Sequence, residues 1–284
     1  MKELLAEVIR IGLPLSLMAV MFAQGLKLAL GQSWVYFKEH PGLMLRSLGV
    51  VLVLVPLAAL AIILLFDPAP AVMVGLALMA ASPASPSQLI KFGKNAEGLA
   101  FLSSLHLSLG LLAIISVPAV LHLLSRALGF QAEVDAFQVA KSVGQTMLVP
   151  VALGVLFRHF LPVAANRIVP LLGKLATIAL YAMLIPVLVK TFALVLEMDV
   201  WSYLVMASFM ITNLVLGHLL GPADAQQRTI LAMESGGRNF GLALTIAALN
   251  FSQDRALAVL IPYVLLFVVI SKSYLKWSER GATD

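Results

Sequence analysis

Two stretches of the sequence combine polar residues with helix-breaking residues inside otherwise apolar segments. The first reads Ser82-Pro83-Ala84-Ser85-Pro86-Ser87-Gln88, and the second reads Glu234-Ser235-Gly236-Gly237-Arg238-Asn239. A carboxylate within an apolar segment costs at least about 2.5 kcal/mol unless it is paired, so Glu234 is a functional candidate. Arg238 follows it by four residues, close enough to pair with it on a continuous helix. These residues predict a binding centre for charged groups, or a Glu234–Arg238 pair that only neutralises itself.

The surrounding composition is that of a membrane protein. Of 284 residues, 61% are hydrophobic and 12% are charged, and the mean hydropathy is +1.00, whereas soluble domains carry about 25% charged residues. This composition excludes a water-soluble globule, a disordered chain and a nucleic-acid binder. The net charge of +5 is too sparse for a phosphate-binding patch. The absence of cysteine excludes disulfides, thiol catalysis and thiolate metal sites.

Apolar segments of about 20 residues predict nine membrane-spanning helices. They run near 9–31, 43–66, 70–94, 98–126, 138–161, 168–195, 200–221, 226–250 and 255–277. We expect no cleavable signal and no separate soluble domain. Lys and Arg number eleven in one set of alternate loops and six in the other. This bias predicts a multi-pass protein of the cell membrane with its N-terminus outside and its C-terminus in the cytoplasm.

Two of the nine segments are predicted to be broken helices. The prolines of 82–88 remove backbone donors from the third span, and the Gly236-Gly237 pair interrupts the eighth. Pro83 and Gly236 lie 153 residues apart, about half the chain. Interrupted segments at corresponding positions indicate a secondary transporter built from inverted repeats, with its binding site where the broken helices cross. The repeats are expected at 1–130, with its break at 82–88, and at 138–284, with its break at 234–239. The alternative is that both breaks are packing kinks.

The sequence resembles the bile acid:sodium symporter (BASS) family over nearly the whole chain. The resemblance rests on the runs 21–28 (MFAQGLKL) and 37–41 (FKEHP), on the proline-rich third span and on 234–239, which is similar to the family pattern Glu-x-Gly-x-Gln-Asn. It implies the fold of sodium/proton antiporters, in which a panel of helices packs beside a core where two broken helices cross. It also implies transport of organic anions by alternating access. Bacterial members often have ten helices. This chain is identified as a divergent bacterial-type member that lacks the first family helix, as some animal members do.

The family's sodium ligands do not carry over. Its Thr, Ser and Asn in the first broken helix fall on Pro86, Gln88 and Leu89, and its sodium-binding Ser and Thr on the next helix fall on Leu102 and His106. Two family Gln residues fall on Val51 and Arg238, while Glu234 and Asn239 are retained. The resemblance therefore implies that built-in cations replace bound sodium as counter-charges to Glu234. A register shift of one residue would return Ser87 and Gln88 to the Ser and Asn positions, which keeps sodium coupling open.

The candidate substrate- and ion-binding residues come from the two broken segments and the helix after the first. They are Pro83, Ser85, Pro86, Ser87, Gln88, Lys91, His106, Glu234, Ser235, Gly236, Gly237, Arg238 and Asn239. Imidazole titrates near neutral pH, so His106 allows proton coupling, although a packing role is its alternative. The alternative for Lys91 is that it extends to the membrane interface. No catalytic residue, metal site or cofactor is expected, with sodium left open.

The sequence thus predicts an all-α polytopic membrane protein that carries a small or medium organic anion without the family's two-sodium mechanism. Its expected partners are that anion and the lipid bilayer, and no nucleic acid. The alternatives are a sodium-coupled organic anion symporter with altered ligands, an arsenite- or auxin-type carrier, and a non-transporting membrane sensor or enzyme. The five histidines are scattered without metal-ligand spacing, which disfavours an enzyme.

Overall fold

The computed structural model describes residues 2–28, 30–83, 85, 96–129, 136–250 and 254–280, and within them the regular structure is entirely helical. The helices are α1 (Lys2–Gly25), α2 (Leu30–Glu39), α3 (Pro41–Gly49), α4 (Val55–Phe66), α5 (Pro70–Ala81), α6 (Ala96–Leu128), α7 (Ala136–Val143), α8 (Val149–Phe160), α9 (Pro162–Ala182), α10 (Leu184–Leu196), α11 (Val200–Leu219), α12 (Ala225–Gly236), α13 (Phe240–Asn250) and α14 (Asp254–Arg280). Of the predicted site residues, Pro86, Ser87, Gln88 and Lys91 lie outside the described ranges.

Seven helical segments in the described ranges are long and apolar enough to cross a membrane. They are Ala6–Gly25, Pro41–Phe66, Gly98–Leu128, Phe137–Phe160, Pro162–Leu196, Val200–Leu219 and Ala256–Glu279. Each corresponds to one of the nine predicted spans, so the all-helical multi-pass class is confirmed. The other two predicted spans are the ones with breaks, and the described helices in them, α5, α12 and α13, have 12, 12 and 11 residues. The count of nine and the division into two repeats remain predictions.

A π-helical turn precedes a proline in two of the spans. Val50–Leu54 joins α3 to α4 and Gly144–Leu148 joins α7 to α8, and Pro56 and Pro150 are the second residues of α4 and α8. Proline lacks the N–H that an α-helix needs, and the wider turn accommodates the missing bond. In the first turn the Val55 N–H bonds to the Val50 carbonyl, and Pro56 has no N–H to offer. The Val51 carbonyl is therefore left for a donor from another helix.

The breaks lie close to the predicted positions. Helix α5 ends at Ala81, as the Ser82-Pro83 pair predicts, because a residue before proline disfavours the helical conformation. The second break was expected at 234–239, but α12 continues through Glu234 and Ser235 to Gly236, and only 237–239 are unwound. The helix persists because the Gly237 N–H still bonds to the Met233 carbonyl at 2.8 Å. Glu234 and Arg238 therefore do not share a continuous helix.

Candidate functional site

The end of α5 leaves backbone carbonyls that need donors. An α-helix has no internal partner for its last four carbonyls, and Pro83 contributes no N–H beyond the helix end. The Ser82 hydroxyl donates to the Leu78 carbonyl at 2.7 Å, and the Ser82 N–H donates to Met79 at 3.1 Å. The Ala80 carbonyl faces the second break, and so does the second lone pair of the Met79 carbonyl oxygen.

The two breaks meet through their backbones. The Asn239 N–H donates to the Ser82 carbonyl at 2.9 Å. The Asn239 side chain then caps α13, because its Oδ1 accepts the Leu242 N–H at 3.0 Å. One residue thus anchors the unwound segment to α5 and starts the next helix.

Arg238 fills the space where the two helices and the π-helical turn converge. Its Nε donates to the Met79 carbonyl at 3.0 Å, its Nη2 to Ala80 at 2.6 Å and its Nη1 to Val51 at 3.4 Å. The side chain is buried. The guanidinium, with its fixed fork of donors, therefore satisfies the carbonyls that Pro83 and Pro56 leave free.

Glu234 pairs with His106 and not with Arg238. The His106 Nδ1 and the Glu234 Oε1 are 3.3 Å apart, and the two side chains are 4% and 0% exposed. Within the part of the chain that the structure describes, the other carboxylate oxygen, Oε2, and the other ring nitrogen, Nε2, have no hydrogen-bond partner. The expected Glu234–Arg238 ion pair is not a direct contact, because the helix end lies between the two residues, although the two charges still attract each other.

A cavity of about 70 Å³ lies beside the crossing and is bounded on one side by Arg238. We call it the Arg238 cavity; its lining includes Met79, Ser85, Tyr181, Phe240 and Lys272. Tyr181 belongs to α9 and contacts the ring of Phe240 at a centroid distance of 5.3 Å, and much of the lining belongs to α14, so the cavity lies between α9, α14 and the broken helices. Its lining contains two cationic side chains and, among the described residues, no carboxylate.

The remaining predicted residues have structural roles at the breaks. The Ser235 hydroxyl donates back to the Leu231 carbonyl at 2.8 Å, as Ser82 does to Leu78. A Cβ on Gly236 would lie 2.8 Å from Leu214, so α12 and α11 approach too closely there for a larger residue. Pro83 and Ser85 are buried at the first break, and Gly237 lies in the unwound segment.

Sequence reasoning missed two contributors to this region. Tyr263 of α14 is buried, and its hydroxyl donates to the Gly236 carbonyl at 3.4 Å. The Val51 carbonyl binds Arg238, and its signal was present in the proline five residues later. A helix carbonyl five residues before a proline lacks a donor whenever the local turn is π-helical.

Comparison with known proteins assigns the family. The model of the sodium bile acid symporter family matches residues 14–198, which is about two thirds of the chain. No curated protein matches the sequence. The match includes the first break and His106, and it ends before α12 and α13. The chain therefore belongs to the sodium bile acid symporter family, whose members are multi-pass membrane secondary transporters.

Proposed function

We propose that this chain moves a small or medium organic anion across the cell membrane by alternating access, without the two bound sodium ions of the family. The observation that carries the proposal is the position of Arg238, whose guanidinium donates to the carbonyls of Met79, Ala80 and Val51. Converging carbonyl oxygens are the ligands that a bound cation needs. Here a covalently attached cation uses them.

Electrostatics argues against sodium beside this group. Two unit charges 4 Å apart repel by about 4 kcal/mol at an effective dielectric constant of about 20. Helix C-termini carry a partial negative charge that favours cations, and the guanidinium already neutralises that of α5. The apolar Leu102, buried in α6, offers no oxygen in place of the family's serine.

The Arg238 cavity supports an anionic substrate. Arg238 and Lys272 contribute positive charge to its lining without a described carboxylate to balance them. Ligand pockets for drug-sized molecules measure about 300–1,000 Å³, so a cavity of about 70 Å³ accommodates one acidic group. Binding a whole organic anion therefore requires α9, α14 and the broken helices to separate, which is the movement that alternating access supplies.

The remaining assignments belong to the same proposal. The repeats are 1–130 and 138–284, the N-terminus is outside and the C-terminus is in the cytoplasm. Arg238 and the unwound segment, with Asn239, line the substrate site, and Glu234 and His106 form a charge-sensitive pair behind it. Ser235, Gly236, Gly237, Pro83 and Ser85 shape the breaks.

Counterflow in proteoliposomes tests this function. The purified chain is reconstituted, the vesicles are loaded with unlabelled cholate, pyruvate or succinate, and exchange of the same labelled anion is measured in potassium and in sodium buffer. We expect exchange of at least one anion at rates that agree within about 2-fold between the two buffers. Arg238→Gln is the test variant, and Arg126→Gln, which changes an exposed arginine near the end of α6, is the matched control.

Two results would contradict the proposal in different ways. Exchange that requires sodium would leave the carrier standing and refute the sodium-free mechanism. Absence of exchange for every anion, with protein that is monodisperse and folded, would refute the carrier itself.

A further inference from the structure

The geometry points to the His106–Glu234 pair as the binding site of a coupling proton, so that anion and proton move together. This inference rests on the proposed function and names the ion that replaces sodium. His106 and Glu234 come from α6 and α12, which the family resemblance does not bring together as an ionisable pair. Their atoms Nδ1 and Oε1 are 3.3 Å apart, within reach of one long hydrogen bond.

The pair is isolated from other hydrogen-bonding groups. In the described residues neither Glu234 Oε2 nor His106 Nε2 has a partner, and Arg238 is occupied by three backbone carbonyls. The charge of the pair is consequently set by how many protons it holds.

The elements packed against α6 bring few other titratable groups to this place. Arg238 and the buried Tyr263 lie at the break, and the ring of Tyr36 of α2 packs at a tilt against Phe101. The charged side chains of α2, α3 and α7 point elsewhere: Lys38, Glu39 and Lys141 are exposed, as is His40 after α2, and Arg46 donates to the Gly221 carbonyl. On α11 and α14, which pack against α12, His218 contacts the Tyr274 hydroxyl and Lys272 is exposed, whereas Arg238 interacts electrostatically with Glu234.

Because the pair is buried, its free energy depends strongly on how many protons it holds. With one proton the pair is neutral overall, as imidazolium–carboxylate or as imidazole–carboxylic acid. With no proton an unpaired carboxylate remains in an apolar interior, which is costly. The two side chains are 4% and 0% exposed, so water does not reach the pair in this conformation. The proton therefore leaves only when one side of the site opens to water.

A second small cavity borders the pair at His106. It measures about 20 Å³, borders His106 and Gln24, and is otherwise lined by apolar residues such as Gly110 and Met147. This volume holds about one water molecule. The Gln24 Nε2, like His106 Nε2, has no hydrogen-bond partner in the described part of the chain. In the described structure the second ring nitrogen of His106 is thus without a hydrogen-bond partner at the edge of this cavity.

Proton and anion favour each other at this site. Protonation adds a positive charge close to the Arg238 cavity, because Glu234 and Arg238 flank the same helix end. By linkage, an anion in the cavity raises the proton affinity of the pair. The bound proton raises the anion affinity of the cavity by the same factor. Proton and anion are therefore expected to be transported in the same direction.

Infrared difference titration tests the proton site without any substrate. The purified full chain is titrated from pH 8 to pH 5, the range in which histidine ordinarily changes charge. We expect carboxyl and imidazole bands that change together in the wild type and are lost in both Glu234→Gln and His106→Gln. His122→Gln is the matched control, because His122 is an exposed residue of the same helix, and it should keep the bands. A wild-type titration without these bands would overturn the inference.

A pH gradient tests coupling in the same proteoliposomes. With an acidic exterior and potassium as the only alkali cation, uptake of the panel anion that exchanges fastest should rise about 5-fold or more in the wild type. Glu234→Gln and His106→Gln should lose this response, whereas His122→Gln should keep it. Wild-type exchange that ignores the gradient would overturn proton coupling and leave the carrier intact, whereas absence of all exchange would refute the proposed function.

Discussion

A buried arginine is stable only when acceptors surround its fork of donors. Arg238 meets this condition because two prolines in other segments each leave a carbonyl free: Pro83 ends α5 and Pro56 prevents the normal bond to Val51. The partial negative charge at the end of α5 adds to the attraction. The site thus keeps the carbonyl environment that suits a cation and supplies the cation covalently.

Replacing Arg238 tests this environment directly. Arg238→Gln should leave at least one of the carbonyls of Met79, Ala80 and Val51 without its donor, and each unsatisfied buried polar group costs about 1–3 kcal/mol. We expect a lower melting temperature in detergent and, uniquely for this variant, an increase in that temperature when sodium replaces potassium. Arg238→Lys retains the charge with a different donor geometry and should be less destabilised and insensitive to sodium. An unchanged melting temperature in Arg238→Gln, measured beside Arg126→Gln, would contradict this account.

The partner of Glu234 shows where sequence reasoning stops. Spacing predicted a bond to Arg238, which lies four residues away, but α12 ends between them at Gly236. The partner found in the structure, His106, lies 128 residues earlier on α6. No local pattern predicts that contact, since it depends on how α6 and α12 cross. The candidate residues were therefore predictable from polarity at the breaks, and their pairing was not.

Helix ends were predictable where the chain itself supplies the chemistry. Proline defines the end of α5 through its effect on Ser82, and Asn239 starts α13 by capping it. The turn at Met183 between α9 and α10 divides a segment predicted as one span, and Pro186 is its signal, because a proline has no N–H to bond to the Ala182 carbonyl.

Helix α11 begins at a titratable cap outside the membrane spans. Asp199 Oδ1 accepts the Ser202 N–H at 2.9 Å and the Ser202 hydroxyl at 2.6 Å, and these bonds lower the pKa of Asp199 below its ordinary value of 3.8. A lowered folded-state pKa means that the cap stabilises above pH 3.8 and loses this effect as the pH falls through the folded-state pKa.

The expected outcome for Asp199 is a pH-dependent difference in melting temperature. Asp199→Ala should melt below the wild type at pH 7, and the gap should narrow as the pH falls below 4. Asp199→Asn retains an acceptor and does not titrate, so it should resemble the wild type without that pH trend. Parallel curves for the wild type and Asp199→Ala would contradict the titration.

The crossing of α1 and α8 depends on two glycines. A Cβ on Gly154 would overlap the Phe22 carbonyl, and one on Gly25 would overlap that of Val151, so the two backbones touch. Small residues permit this approach between membrane helices. The packing of α1 on both α8 and α9 follows from it.

Gly154→Ala should separate these helices. Overpacking of this kind costs about 1–3 kcal/mol, and we expect a lower melting temperature and weaker anion exchange. Gly144→Ala is the matched control in the same span, because a Cβ at Gly144 meets nothing within 4 Å. Equal melting temperatures for the two variants would refute the close approach.

At the scale of the whole molecule, side-chain contacts to helix ends sort those ends into two faces. Arg46 donates to the Gly221 carbonyl and Arg158 donates to the Leu26 carbonyl. Each of these bonds joins the ends of two helices, and in each the donor is an arginine. The Trp201 Nε1 donates to the Phe66 carbonyl at 2.9 Å, and this bond joins two helix ends without an arginine. This grouping agrees with the alternation of Lys and Arg among the predicted loops, in which Arg46 and Arg158 belong to the more basic set. The positive-inside rule then predicts that the arginine pairs are cytoplasmic.

Single cysteines report this orientation against no background, because the chain contains no cysteine. Glu3→Cys and Glu197→Cys lie on the predicted outer side, and Glu39→Cys and Lys276→Cys on the inner side, all at exposed positions. In intact spheroplasts a membrane-impermeant maleimide should label the first two, and it should reach the others only after permeabilisation. The opposite labelling pattern would contradict the predicted orientation and would mean that the arginine-bonded helix ends lie outside. The direction of the coupling proton then reverses as well, since the side from which the His106–Glu234 pair is protonated is defined by the same orientation.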